Sequence, residues 1–262
     1  MAIRRAGAAA PAQRRPVELD LRRLTRSELD RMAAAGREVA HCEAVLAKTA
    51  DTVVGELLRG QPFFEWDHYP AGEVYDAETC SLYYYHAHPP DEREAEEHGH
   101  FHTFLKPSDL PAEIRPLPVP SSPAPSGQGG ALAHLVAIAM DGQSRPLRLF
   151  TTNRWVTGES WHRARDVLAL ADRFAVGHAR PSWPANRWIT AMLVLFRPQI
   201  AWLLTERDRV LAAWAKAHPR AAATEDRNLE ILSTLAISVA DQRRAVDAAL
   251  AETGRARPAR PE

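Results

Sequence analysis

The sequence predicts an α+β domain with a long N-terminal amphipathic helix, a four-stranded antiparallel sheet with a histidine-rich face, and a C-terminal helical layer. Three observations predict it. Apolar residues recur at helical spacing up to Leu58, the middle of the chain carries four strand-like runs joined by polar turns, and helical spacing returns from Glu159 onward. Strands followed by a block of helices, without βαβ alternation, place the helices over one face of an antiparallel sheet.

Taken in order, residues 1–16 are rich in Ala, Arg and Pro and predict a disordered tail, with no apolar stretch behind the arginine pairs to make a secretory signal. Ser27 and Asp30 read as a helix N-terminus. Met32, Val39, Leu46 and Val53 then recur every seven residues, so one amphipathic helix reaches about Leu58 with a break near Thr49–Asp51. That stripe can form a homodimer seam or pack within its own chain, and the short interrupted repeat favours the second. Gln61–Thr79 mixes aromatic residues with Pro, Gly and acids, which predicts a structured loop; His68, Tyr69, Glu73, Tyr75 and Asp76 are candidates for one wall of a pocket.

Leu82–His88 and His98–Leu105 make the first hairpin. Seven prolines between Pro107 and Pro125 mark 107–133 as a loop insertion. His134–Asp141 and Leu147–Gly158 make the second hairpin, which Asn153, Arg154 and Trp155 close. Trp161 to Phe174, Trp188 to Phe196, and Pro198 to Ala217 read as helices. Thr224, Glu225 and Asp226 read as the cap of a last helix whose stripe includes Leu229, Leu232, Leu235, Ile237 and Val239, ending at Gly254. The expected organisation is a single domain over 17–253, flanked by loose tails at 1–16 and 254–262.

Composition narrows the function. Lys and Arg together number 33 and so do Asp and Glu, a balance without the basic excess of a nucleic-acid protein. No apolar run is long enough to span a bilayer. Cys42 and Cys80 lack metal-type spacing. These features predict a cytoplasmic protein that takes a small-molecule ligand, with no nucleic-acid or membrane partner.

The histidines carry the chemistry. Five of the eleven stand at His86, His88, His98, His100 and His102, all even positions. On extended strands that spacing puts them on one face. A symmetric hairpin whose paired numbers sum to 186 sets His88 opposite His98, His86 opposite His100, and Tyr84 opposite His102. Same-face neighbours on a strand lie about 6.6 Å apart, and residues directly opposite about 4.5–5.5 Å. Two neighbours and one residue across the hairpin can therefore share an ion, whereas His98 and His102, about 13 Å apart along the strand, cannot share one easily. The candidate ligands are a subset of His86, His88, His98 and His100 around one divalent transition metal (Zn, Fe or Mn), with His102 and His134 peripheral. Glu97 or Glu96 is placed to orient an imidazole through its second nitrogen. Such a site would serve a hydrolase or oxygenase.

Two other readings use the same residues. Without metal, the histidines can form a neutral hydrogen-bonded network, structural or part of a binding face, with Tyr69, Tyr84, His102, His134, Asn153, Trp155 and Arg154 as candidate ligand contacts. Alternatively, His98-Gly99-His100-Phe101-His102-Thr103-Phe104 is similar to the histidine-triad motif of nucleotidyl hydrolases and transferases. That resemblance implies His100 as nucleophile, with Lys106 or Arg154 stabilising phosphate charge; Gly99 and Thr103 depart from the family's bulky apolar residues. On a larger scale HYPAGEVYD, YYYHAH, EHGHFHTFL, HLVAIAMD and LFTTNRWVTGESW together resemble an uncharacterised bacterial family of unknown function over about Leu21–Leu250. This second resemblance implies fold boundaries and no activity.

Overall fold

In the computed structural model, residues 19–106, 113–119 and 132–255 are described. The expected tail at 1–16 and most of the proline-rich insertion lie outside them. The helix α1 spans Arg26–Ala47. Its cap is Thr25, two residues earlier than the sequence suggested: the Thr25 hydroxyl accepts from the Glu28 backbone N–H while the Glu28 carboxylate accepts from the Thr25 N–H, a reciprocal pair that Ser27 and Asp30 do not offer. The expected break follows, and α2 (Val53–Leu58) restarts under a Thr52 cap.

Among the described residues the sheet has six strands rather than four, in the order β1 (Tyr69–Asp76), β2 (Ser81–His86), β3 (Glu97–Leu105), β4 (Ala133–Asp141), β5 (Pro146–Thr152) and β6 (Ile231–Ala236), all neighbours antiparallel. Both additional strands lie at the edges, where sequence alternation is weakest. β1 lies in the stretch whose Pro, Gly and acids predict a loop, and its pairing is interrupted: Tyr69 pairs with Tyr85 but Val74 already with Tyr83, and the intervening Gly72 and Glu73 have φ of 83° and 64°. β6 lies where the sequence predicts a helix, because Leu229, Leu232 and Leu235 mimic a three-residue period. Its short run satisfies either pattern, and pairing along β5 selects the strand. The last helix therefore starts later, as α7 (Val239–Arg255), and passes through Gly254; Thr224 and Glu225 sit in a short 3-10 turn, Ala223–Glu225.

After β5 come α3 (Arg154–Thr157), α4 (Ala164–Ala171), α5 (Trp183–Leu195) and α6 (Arg197–Ala217). Asn153–Trp155 do not close a strand, since Asn153 caps α3 through its side-chain oxygen. The helices bury one face of the sheet, where Tyr83, Tyr85, Phe101, Val136, Ile138, Met140 and Leu149 join a core with residues of α1, α4, α5 and α6. On α1, Met32, Val39 and Leu46 are all buried inside the chain, so the heptad stripe is used internally, along α5 and α7. The described part of the proline-rich segment is irregular, as expected, yet anchored: Ile114 packs on the main core, and the Leu117 N–H donates to the Trp161 carbonyl.

Candidate metal centre

Pairing between β2 and β3 follows the predicted register from Ser81–Leu105 through Tyr84–His102 to His86–His100. The opposite face of the sheet from the helices thus carries Tyr84, His86, His100 and His102. Two β-bulges then add residues that strict alternation would send the other way. At Glu97–Gly99 of β3, two steps oppose one step of β4. This brings Glu97 round to His100, whose Nδ1 lies 2.6 Å from Glu97 Oε1. A second bulge between Thr103 and Phe104 sets Phe104 opposite His134, and His134 Nε2 lies 3.0 Å from His102 Nδ1. Between these groups β4 presents only Ala137 and Ala139, small enough for side chains of β3 and β5 to meet above them.

His86, His100 and His102 each offer a ligand atom, and those atoms all lie within 4.8 Å of one another. The orientation of His100 is fixed. A carboxylate only accepts, so His100 donates from Nδ1 and, when neutral, presents the Nε2 lone pair. That Nε2 faces His86 Nε2 at 2.7 Å. Behind it, Arg148 Nη2 donates to the other oxygen of Glu97 at 2.6 Å, and the guanidinium lies over the Phe150 ring. Phe150 in turn meets His100 edge-on, with centroids 5.2 Å apart.

Burial pushes the His86 and His102 imidazoles well below the ordinary value, helped by the neighbouring histidines. His134 is pushed down to about 3 and His88 to about 4, again chiefly by burial. Burial raises the Glu97 carboxyl, but the hydrogen bond from His100 and the Arg148 charge outweigh it and hold Glu97 below the usual range. Glu159 is the reverse case. Burial pushes it up to about 7 against the pull of Arg207, while its Oε2 accepts from the His134 backbone N–H. Burial thus favours the neutral form of His86, His88, His102 and His134, the protonation state in which nitrogen ligates a metal.

Residues 33–237 match the family described as a domain of unknown function, DUF6969. The chain belongs to this family. No curated protein and no solved structure matches it. The DUF6969 span opens inside α1 and closes just beyond β6, so it contains the entire histidine face and leaves out α7. It also falls within the longer extent, Leu21–Leu250, that the sequence motifs suggested. Among the described residues of this DUF6969 chain, no single helix is long and apolar enough to cross a membrane.

Several candidate residues of the DUF6969 site stand elsewhere than expected. His98 leaves the cluster because it is the extra residue of the bulge; its Nδ1 meets the Tyr85 hydroxyl at 2.7 Å and its ring stacks on Phe63. His102, expected at the periphery, takes its place as third member. His88 stays at the rim, with the Trp66 ring 4.3 Å from its own and His86 edge-on at 5.0 Å. Tyr84 belongs to the face, while Tyr69 belongs to the helical core and bonds through its hydroxyl to the Pro62 carbonyl. Asn153 and Trp155 both donate to the Leu229 carbonyl, and Arg154 pairs with Glu225 at 2.5 Å. These three fasten the chain after β5 to the segment before β6 instead of joining Tyr69 and Tyr84 in an aromatic pocket. Lys106, the other candidate for phosphate charge, lies over Tyr75. Two further residues join the face: His68, a candidate for the wall of a pocket, and Arg148, which the sequence does not single out. His68 stacks on Tyr84 with centroids 3.7 Å apart and meets Glu73 at 3.1 Å. Arg148 was signalled only by a charge between Leu147 and Leu149, where alternation turns it away from the core.

Proposed function

We propose that His86, His100 and His102 bind one divalent transition metal ion, and that the domain is a metal-dependent hydrolase or oxygenase. The observation that carries this reading is the chain Arg148–Glu97–His100, which aims His100 Nε2 at the point that His86 and His102 also reach. A carboxylate on the far nitrogen of a ligating imidazole fixes its tautomer and raises its basicity. His134 can do the same for His102 through Nδ1. A tetrahedral ion about 2.0–2.1 Å from each nitrogen keeps neighbouring ligand atoms about 3.3 Å apart, so the His86 and His100 rings must part by a few tenths of an ångström each. With three neutral ligands and a position left open, a bound ion would supply Lewis acidity for water activation if zinc, or an oxygen-binding site if iron. Tyr84, Phe150 and Ala137 wall the face with apolar surface, which strengthens every charge interaction within it.

The test is elemental analysis of protein purified without a histidine tag. About one ion per chain is expected, falling at least tenfold in His86→Ala, His100→Ala and His102→Ala with circular dichroism retained. A trace of metal that the three substitutions leave unchanged would mean that the histidines serve as a hydrogen-bonded network. The metal found also separates the two reactions, zinc for hydrolysis and iron for oxygen chemistry.

A further inference from the structure

Arg148 has more donors than its neighbours use. Nη2 serves Glu97. Among the described residues, Nε and Nη1 are buried without a hydrogen-bond partner, and the Glu94 carboxylate lies 3.5 Å from Nε on an exposed side chain. Buried guanidinium N–H groups left in this state are costly, and a bound water, ion or ligand group that accepts from them removes the cost. The surroundings keep the fork in place. The guanidinium carbon lies 4.6 Å from the centre of the Phe150 ring, and the residues paired with Arg148 on either side, Ala139 and Ala236, are small.

Charge points the same way. Arg148 and Glu97 cancel as an ion pair, and an imidazole that ligates an ion does so in its neutral form. A divalent ion on His86, His100 and His102 would therefore leave the face with two uncompensated positive charges in a buried setting, which an anionic ligand offsets. A carboxylate suits the free donors better than a phosphate dianion, because Glu97 and Glu94 already place negative charge beside the guanidinium.

We propose that the substrate of this site is a small carboxylic acid, its carboxylate seated on the free N–H groups of Arg148 in place of Glu94, with a second oxygen reaching the metal. This assignment rests on the metal reading above, and it names Arg148 as the residue that selects the substrate class. The width of the Glu97 carboxylate separates the guanidinium from His100, so the acid must hold two oxygen-bearing ends apart by a short chain.

Cobalt(II)-loaded protein offers a readout of the ion's own ligands through its visible absorption. Titration with succinate is expected to change that spectrum, whereas succinamide should do so at least tenfold more weakly. In Arg148→Gln, which removes the guanidinium fork, succinate affinity should fall at least tenfold when the variant and the wild type are compared at equal cobalt occupancy. Arg148→Lys keeps a cation beside Glu97 and should fall between the two, so it carries the test if Arg148→Gln does not fold. Equal succinate binding by wild type and both variants, no binding by any of them, or tighter binding of inorganic phosphate than of succinate would overturn the carboxylic-acid assignment and leave the metal site standing. Failure of the wild-type protein to load cobalt at all would remove both.

Discussion

Glu97 has both carboxylate oxygens engaged, one with an imidazole and one with a guanidinium, at 2.6 Å each. Replacing it with glutamine keeps the shape and removes the charge. Orienting carboxylates of this kind contribute about 10–100-fold to metal affinity, so Glu97→Gln should weaken zinc binding by that factor in a competition titration with a coloured chelator. The substitution also leaves Arg148 without its ionic partner inside the face, a state that lowers stability. The double variant Glu97→Gln/Arg148→Met removes the lone cation, and the affinity loss should persist there. An unchanged zinc affinity in both would show Glu97 to be a partner of Arg148 alone. The even numbering of His86, His100 and His102 made three members of the cluster readable from the sequence, because a side chain's face follows from parity along a strand. Glu97 was placed by chemistry, as an orienting acid, but its odd position gave no reason to expect it on the same face. His98 had the right parity and left all the same.

Both exceptions come from one local event, the β3 bulge, and bulges are not visible in an alternation pattern. Gly99 shows why this bulge forms where it does. A Cβ there would stand 2.5 Å from the His86 carbonyl oxygen and 2.6 Å from the Tyr85 hydroxyl, so only glycine lets β2 and β3 close around the Tyr85–His98 hydrogen bond. Gly99→Ala should destabilise the domain by about 1–3 kcal/mol, as overpacking in a tight site does. It should also displace His86, so metal loading must drop along with the urea midpoint; a normal midpoint with full loading would mean the bulge tolerates a side chain. The central hairpin was legible for a complementary reason. Each of its strands buries one continuous face, which fixes register to a single answer, and the observed pairs sum to 186 from Ser81–Leu105 to His86–His100. The edge strands lack that constraint. β1 has a second neighbour on neither side of its bulge, and β6 comes from a stretch whose leucine spacing suits a helix equally well.

At the scale of the whole molecule, the helical layer and the sheet leave a buried polar face whose protonation is coupled to folding. His86, His102 and His134 are held neutral by burial, His134 down to about 3, whereas the unfolded chain protonates them near 6.5. Below pH 6.5 the unfolded state therefore binds more protons than the folded one. The stability these groups allow is present above that pH and is lost as pH falls, by about 1.4 kcal/mol per pH unit for each fully buried group. Glu159 acts in the opposite sense. Its folded carboxyl titrates near 7 and its unfolded one near 4.5, so between those values folding takes up a proton and acid favours the fold. Three groups against one leave a net loss of stability as pH falls below 6.5. Urea unfolding in the presence of a chelator should show the midpoint falling steeply from pH 6.5 to pH 5 and almost level from pH 7 to pH 8. In Glu159→Gln the opposing contribution disappears, and the fall should steepen. With metal bound the same imidazoles must be stripped of the ion before they take protons, so the loaded protein should start from a higher midpoint and lose it over the same interval. A midpoint that stays level from pH 7 to pH 5 in the chelated protein would mean that the histidine face opens to water without unfolding, and the apolar enclosure on which its chemistry depends would then be absent.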